Sequence, residues 1–129
     1  MDWVCQFIIK GKKIIEIGSN DGFLSYLLKK KGADVLGVDA SEFMVKVSQK
    51  KIKAIQSIFN YNQSKKIKNV FGKADIIIAN NVFNHSDNPL DFLKGVYNLL
   101  GEDSLFIFEQ PNFTVGVLSL KFDQIYHEH

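Results

Sequence analysis

The sequence predicts a doubly wound α/β fold, in which about five parallel strands form a sheet flanked by helices. Short apolar runs alternate with longer stretches of helical periodicity, a pattern typical of parallel strands joined by crossover helices. The first run, residues 12–17, leads into a loop bounded by Gly18 and Gly22, and a helical pattern begins directly after it. A strand, a glycine-bounded loop and a helix in this order are typical of a nucleotide-binding sheet edge.

The remaining elements follow in chain order. Strands are predicted at residues 12–17, 34–38, 53–58, 74–79 and 105–108, and helices at residues 23–31, 42–51, 63–72 and 90–100. Residues 1–11 have the spacing of a further helix across the sheet edge, and residues 112–120 are expected to form a loop or a short helix. The fifth strand would then be an exposed edge, which invites association with another chain.

Side chains in the first two helices can be assigned from the same pattern. In the first helix, the residues expected to face the core are Phe23, Leu24, Leu27 and Leu28. Gly32 is placed to end this helix, and Ser41 is placed to cap the start of the second.

The candidate ligand residues lie where the predicted strands end. Open parallel sheets bind ligands at the carboxyl ends of their strands, at the switch point that falls here between the first and fourth strands. This rule brings residues 16–22, Asp39 and residues 80–85 to one crevice. Asp39 follows Gly18 by 21 positions, close to the roughly 20 at which such folds place an acid on ribose hydroxyls. A turn residue at Asp39 is the structural alternative.

The glycine spacing of the loop indicates the kind of ligand. The loop is G-x-x-x-G, whereas pyrophosphate-binding loops are G-x-G-x-x-G. An acid near the strand end, Glu16, combined with this looser loop suits a cationic or neutral nucleoside better than a diphosphate. The sequence therefore favours S-adenosylmethionine as the ligand, with a nicotinamide cofactor as the weaker alternative.

Composition narrows the class of protein. The 129 residues suffice for one domain with a hydrophobic core, and the net charge of +2 indicates no particular partner. The lysine runs 29–31 and 50–51 are expected to be solvated helix ends, so no nucleic acid is expected. Cys5 is the single cysteine, and His127 with His129 lacks an evident third ligand, so no metal is expected. Without a signal peptide or a membrane-spanning run, a cytoplasmic location is predicted.

Five segments of the chain resemble one family along nearly its whole length. They are EIGSNDG, GVDAS, ADIIIANNVFNH, IFEQPNF and FDQIYHEH. In this order and spacing they resemble the sugar C-methyltransferases, which use S-adenosylmethionine to methylate a nucleotide-linked keto-deoxysugar. The resemblance implies the Rossmann-like fold of class I methyltransferases. The first segment indicates only this class, whereas the last, with NNVFNH, carries the sugar assignment.

The resemblance also implies roles for individual residues. Those expected to bind the methyl donor are Glu16, Gly18, Ser19, Asn20, Gly22, Asp39, Asn80 and Asn81. Those expected to be catalytic are Tyr126, Glu128 and His129, with His85 nearby. His129 takes the role of general base, and a neutral imidazole suits removal of a proton next to a ketone. Asn80 and Asn81 could instead be turn residues, and His85 a helix-entry residue.

The chain differs from the family in what surrounds this central fold. In the family that the chain resembles, a small zinc-binding part rich in cysteines precedes the central fold. A further part that closes over the sugar follows it. The chain is therefore expected to be a partial methyltransferase domain lacking the last strands, and a second chain could complete its sheet. Two functions remain open, a sugar C-methyltransferase and a remnant that binds the donor without turnover.

Overall fold

The computed structural model describes residues 9–80, 87–109 and 115–119. Residues 80, 109 and 115–119 are described by their backbone alone. The strands are β1 (Lys13–Ile17), β2 (Asp34–Asp39), β3 (Lys53–Gln56), β4 (Ala74–Asn80), β5 (Leu100–Glu109) and β6 (Val115–Ser119). The helices are α1 (Phe23–Lys30), α2 (Glu42–Ser48), α3 (Tyr61–Phe71) and α4 (Pro89–Leu99). The five predicted strands and the four predicted helices after residue 12 are confirmed, with ends that differ by several residues at α2 and β5. The helix predicted at residues 1–11 falls largely outside the described residues.

The strands form one sheet in the order β3-β2-β1-β4-β5-β6. The first five strands of the chain run parallel, and β6 runs antiparallel to β5. Because β1 is flanked by β2 and β4, the chain changes direction across the sheet between β1 and β4. The predicted doubly wound sheet and its switch point are confirmed, and the carboxyl ends of β1, β2 and β4 lie side by side.

The prediction for residues 112–120 is wrong at β6. The backbone of residues 115–119 pairs with β5 from Leu105↔Ser119 to Glu109↔Val115, so β5 is not the exposed edge that the sequence indicated. Gly116 interrupts the apolar run at residues 115–118, and glycine is a residue that strands disfavour and loops favour. Pairing with the free edge of β5 supplies the hydrogen bonds that local sequence does not reveal. In the described residues β6 is the last strand at this end of the sheet, and the second chain stays a prediction.

Apolar side chains cover both faces of the sheet, as expected for parallel strands. One face packs on α3 and α4 through a buried cluster that includes Ile15, Ile17, Val38, Ile77, Phe106, Ile67 and Val96. The other packs on α1 through a cluster that includes Ile14, Val35, Ile76, Ile78 and Leu28. Among the described residues, Glu16 is the one acidic side chain that is buried between the sheet and the helices, being 3% exposed.

The predicted inward face of α1 is partly wrong. Leu28 is buried and Leu24 packs against the core, but Phe23 is 60% and Leu27 41% exposed. The helix is rotated so that Ser25, which is fully buried, faces the sheet. The sequence prediction assigned the inward face by hydrophobicity alone and therefore missed a polar residue whose partner lies on β1.

Local end signals were more reliable than helix faces. Ser41 caps α2 by accepting a hydrogen bond from the Met44 backbone N–H at 3.3 Å, as predicted. Gly32 follows α1 with φ of +100°, as expected for a residue that ends a helix in the left-handed region. Among the helices in the described residues, none is long and apolar enough to cross a membrane.

Candidate functional site

The glycine loop, residues 18–22, joins β1 to α1 at the carboxyl edge of the sheet. Gly18 and Gly22 have φ of +77° and +83°, and Asn20 has φ of +52°. Residues other than glycine, asparagine and aspartate rarely adopt this left-handed backbone conformation. The backbone N–H groups of Gly18 and Ser19 donate to the carbonyl of Val38 at 2.7 and 3.2 Å. The loop is therefore held over the end of β2.

Asp39 ties the glycine loop to the β2–α2 turn. Its Oδ2 accepts a hydrogen bond from the Asn20 backbone N–H at 2.9 Å, and its Oδ1 accepts one from the Ser41 N–H at 2.8 Å. An ionised carboxylate offers about four acceptor positions on its two oxygens, so these bonds leave room for further donors. The predicted meeting of Asp39 with residues 18–22 is confirmed, whereas its predicted contact with ribose stays a prediction.

Glu16 lies beneath the glycine loop on the α1 side of the sheet. The Ser25 hydroxyl donates to its Oε1 at 2.5 Å, and both residues are buried, with exposures of 0% for Ser25 and 3% for Glu16. Glu16 stands in the middle of the sheet, next to Gly37 of β2 and Ile78 of β4. A buried acid is costly unless its oxygens are hydrogen-bonded, and Ser25 meets part of that requirement. Sequence reasoning selected Glu16 but missed Ser25.

Ser19 fills the space next to Gly37. Ser19 is 3% exposed, and its Oγ is the single buried side-chain oxygen or nitrogen of the described residues without a hydrogen-bond partner. A Cβ at Gly37 would lie 2.8 Å from this oxygen and 2.9 Å from Cδ1 of Ile52. Because Gly37 has no side chain, Ser19 of the glycine loop can pack directly against β2.

The variant Gly37→Ala is expected to lower the free energy of unfolding by about 1–3 kcal/mol, because the added methyl overpacks this contact. Urea denaturation followed by circular dichroism measures the loss. Gly101→Ala is the matched control, since a Cβ there meets Ser104 Oγ at 3.4 Å, an ordinary contact. Equal stability of Gly37→Ala and the unchanged chain would contradict the tight contact.

The fourth strand reaches the same edge. Ala79 pairs with Ile17, so the backbone of Asn80 emerges beside the start of the glycine loop. The other predicted site residues lie outside the described residues, namely Asn81, His85, Tyr126, Glu128 and His129. The structure thus brings together Glu16, residues 18–22, Asp39 and the end of β4. In the described part of the chain, no group of three or more His, Cys, Asp or Glu residues could hold a metal ion.

A separate cavity of about 940 Å³ lies on the opposite side of the sheet, along α3, α4 and the start of β5. Its lining includes Tyr61, Leu93, Tyr97 and Phe106, and it contains none of the predicted site residues. Cavity size alone therefore does not locate the site that the strand ends form.

Known proteins resemble this chain in sequence over most of its length. A family described as "Methyltransferase domain" matches residues 4–129. The C-methyltransferase NovU of Streptomyces niveus is 30% identical over 120 residues, which cover 92% of this chain and 29% of NovU. A ubiquinone biosynthesis O-methyltransferase of Coxiella burnetii is 31% identical over 110 residues, covering 83% of this chain and 47% of that protein. The chain spans less than half the length of these two relatives.

Solved structures show the same fold. A SAM-dependent methyltransferase from Archaeoglobus fulgidus superposes with a TM-score of 0.69 at 20% identity, covering 85% of this chain and 49% of its own. The plantazolicin methyltransferase BpumL, solved with SAH, superposes with a TM-score of 0.64 at 23% identity, covering 83% and 42% of the two chains. With the family match over residues 4–129, the chain belongs to the S-adenosylmethionine-dependent methyltransferases of the class I, Rossmann-like fold.

Proposed function

We propose that the chain binds S-adenosylmethionine at the glycine loop and forms part of an enzyme that methylates a carbon of a nucleotide-linked keto-deoxysugar. The observation that carries the donor site is Asp39, whose carboxylate is held against the glycine loop by the Asn20 N–H at 2.9 Å. The sugar assignment is supported by the segment FDQIYHEH and by the similarity to NovU, which is described as a C-methyltransferase.

The residues at the strand ends fit the chemical groups of this donor. Asp39 has acceptor positions for ribose hydroxyls, and the left-handed backbone of Gly18 and Gly22 sets the course of the loop beside it. The buried carboxylate of Glu16 supplies negative charge beneath the loop, which suits a ligand that carries an ammonium and a sulfonium. Asn80 and Asn81 are proposed to border the donor next to the sugar.

The proposed reaction divides the work among the remaining residues. When bound, S-adenosylmethionine supplies an electrophilic methyl group on its sulfonium. His129 would take the proton from the sugar carbon next to the ketone. The electron pair left on that carbon would form the new bond to the methyl group as the bond between methyl and sulfur breaks and S-adenosylhomocysteine leaves. Tyr126 and Glu128 contact and polarise the sugar, with His85 nearby. The protein's contribution to the transfer itself would be to hold the sugar carbon in line with the methyl carbon and the sulfur that leaves.

Calorimetric titration of the folded chain with S-adenosylhomocysteine tests the donor site. We expect binding with a dissociation constant in the micromolar range, because the loop and Asp39 are already joined without ligand. NAD is the control ligand and is expected to bind much more weakly, because the G-x-x-x-G loop does not bring the backbone against a pyrophosphate. A chain that is folded by circular dichroism and binds no S-adenosylhomocysteine would overturn the proposal.

The sugar step has its own test. A chain that binds the donor is mixed with a nucleotide-linked keto-deoxysugar in deuterated water, and exchange at the carbon next to the ketone is followed by NMR. The proposal expects exchange that is lost in His129→Gln. Donor binding without any exchange or methyl transfer would favour the alternative function, a domain that binds the donor without turnover.

A further inference from the structure

A buried polar pair links the first strand to the first helix underneath the glycine loop. Glu16 on β1 and Ser25 on α1 are nine positions apart in sequence, with the loop between them, and their side-chain oxygens are 2.5 Å apart. This separation is typical of a hydroxyl that donates to an ionised carboxylate. The pair therefore joins the residues on either side of the glycine loop by a side-chain hydrogen bond.

The surroundings of the pair explain why its geometry matters. The neighbouring side chains Ile14, Ile78 and Leu28 belong to a buried apolar cluster, so little water is available to solvate the carboxylate. In such surroundings a hydrogen bond to a charged group is stronger than at the surface, and losing it is more costly. The N-terminal end of α1, where Ser25 lies in the first turn, also favours negative charge.

A second buried polar group lies next to the pair. Ser19 Oγ has no hydrogen-bond partner in the described residues, and it lies against Gly37, which pairs with Glu16 across the β1–β2 ladder. The space beneath the loop therefore holds a charged group and an unsatisfied hydroxyl side by side. A buried hydroxyl without a partner, such as that of Ser19, is unusual in a structural core and is expected where a polar ligand group supplies the hydrogen bond.

We propose that Ser25 is a positioning residue for the methyl donor, acting by holding the Glu16 carboxylate in place beneath the glycine loop. This inference rests on the proposed donor site at the loop. Ser25 itself is buried and touches Glu16, so its effect on the donor passes through Glu16 and through the order of residues 18–22. The ligand group that the held carboxylate attracts is the donor's ammonium.

The test is a double-mutant cycle on S-adenosylhomocysteine affinity, measured by calorimetry. Ser25→Ala is expected to weaken binding about tenfold, and Ser25→Thr, which keeps the hydroxyl, is expected to bind within threefold of the unchanged chain. In the Glu16→Gln background, Ser25→Ala is expected to add little further loss, because the two residues act as one unit. A full tenfold loss in that background would overturn the inference.

The control is Ser64→Ala on α3. Ser64 is also helical and fully buried, and its hydroxyl donates to the Tyr61 carbonyl at 2.6 Å, on the side of the sheet away from Glu16. It is expected to cost stability without changing donor affinity. Amide hydrogen exchange gives a readout without ligand, and residues 18–22 are expected to exchange faster in Ser25→Ala than in Ser64→Ala.

The outcomes separate the two proposals. No binding by the unchanged, folded chain overturns the donor site and this inference together. Binding by the unchanged chain with equal affinity in Ser25→Ala overturns only the role of Ser25. If Ser25→Ala does not fold, Ser25→Cys replaces it in the cycle, because its thiol fills the space and donates only weakly.

Discussion

Gly22→Ala is expected to lower the free energy of unfolding by about 2–5 kcal/mol, from left-handed strain of about 1–2 and overpacking of about 1–3. Gly22 has φ of +83°, and a Cβ built on it would lie 2.8 Å from Cβ of Ser48. That atom belongs to a buried residue at the end of α2, so it cannot swing away as the tip of a long side chain could. Urea denaturation measures the loss.

Gly11→Ala separates the two contributions. Gly11 also has a left-handed φ, +77°, but a Cβ there meets nothing within 4 Å. It is expected to lose only the conformational part, about 1–2 kcal/mol. If both variants lose the same stability, the contact between the glycine loop and α2 relaxes at little cost, and the tight packing at Gly22 is contradicted.

Asp39→Ala is expected to weaken the binding of S-adenosylhomocysteine more than tenfold, a loss above about 1.4 kcal/mol. Two effects add in this variant. The ribose hydroxyls lose their proposed acceptor, and the Asn20 N–H loses the carboxylate that holds the glycine loop at 2.9 Å. Calorimetric titration measures the affinity, and circular dichroism checks that the variant is folded.

Asp34→Ala is the matched control at the other end of the same strand. Its carboxylate is about half exposed and lies 3.9 Å from Lys53 Nζ in a surface ion pair, which contributes little. Its removal is expected to leave the affinity within twofold. Equal affinities for Asp39→Ala and the unchanged chain would mean that Asp39 serves the loop and the β2–α2 turn without binding the ligand.

Much of the site was predictable because it is encoded by neighbouring residues. Gly18 and Gly22 mark left-handed backbone within five positions, and Ser41 caps the helix that begins next to it. Asp39 was found from its position at the end of a strand, which periodicity reveals. Its bond to the Ser41 N–H agrees with the turn residue that the sequence offered as the alternative at Asp39. Its bond to the Asn20 N–H was not predicted, because it depends on how the loop folds over β2.

The sequence by itself determined the order of the first five strands and the four helices, the switch point beside β1, and end residues such as Gly32 and Ser41. These properties follow from hydrophobic period, glycine conformation and capping, which act over a few adjacent positions. Only the tertiary structure decided that Ser25 faces Glu16, that Phe23 is exposed, and that residues 115–119 pair with β5. Each of these depends on contacts between segments that the chain brings together in space, and the free energy of those contacts outweighs the local preference.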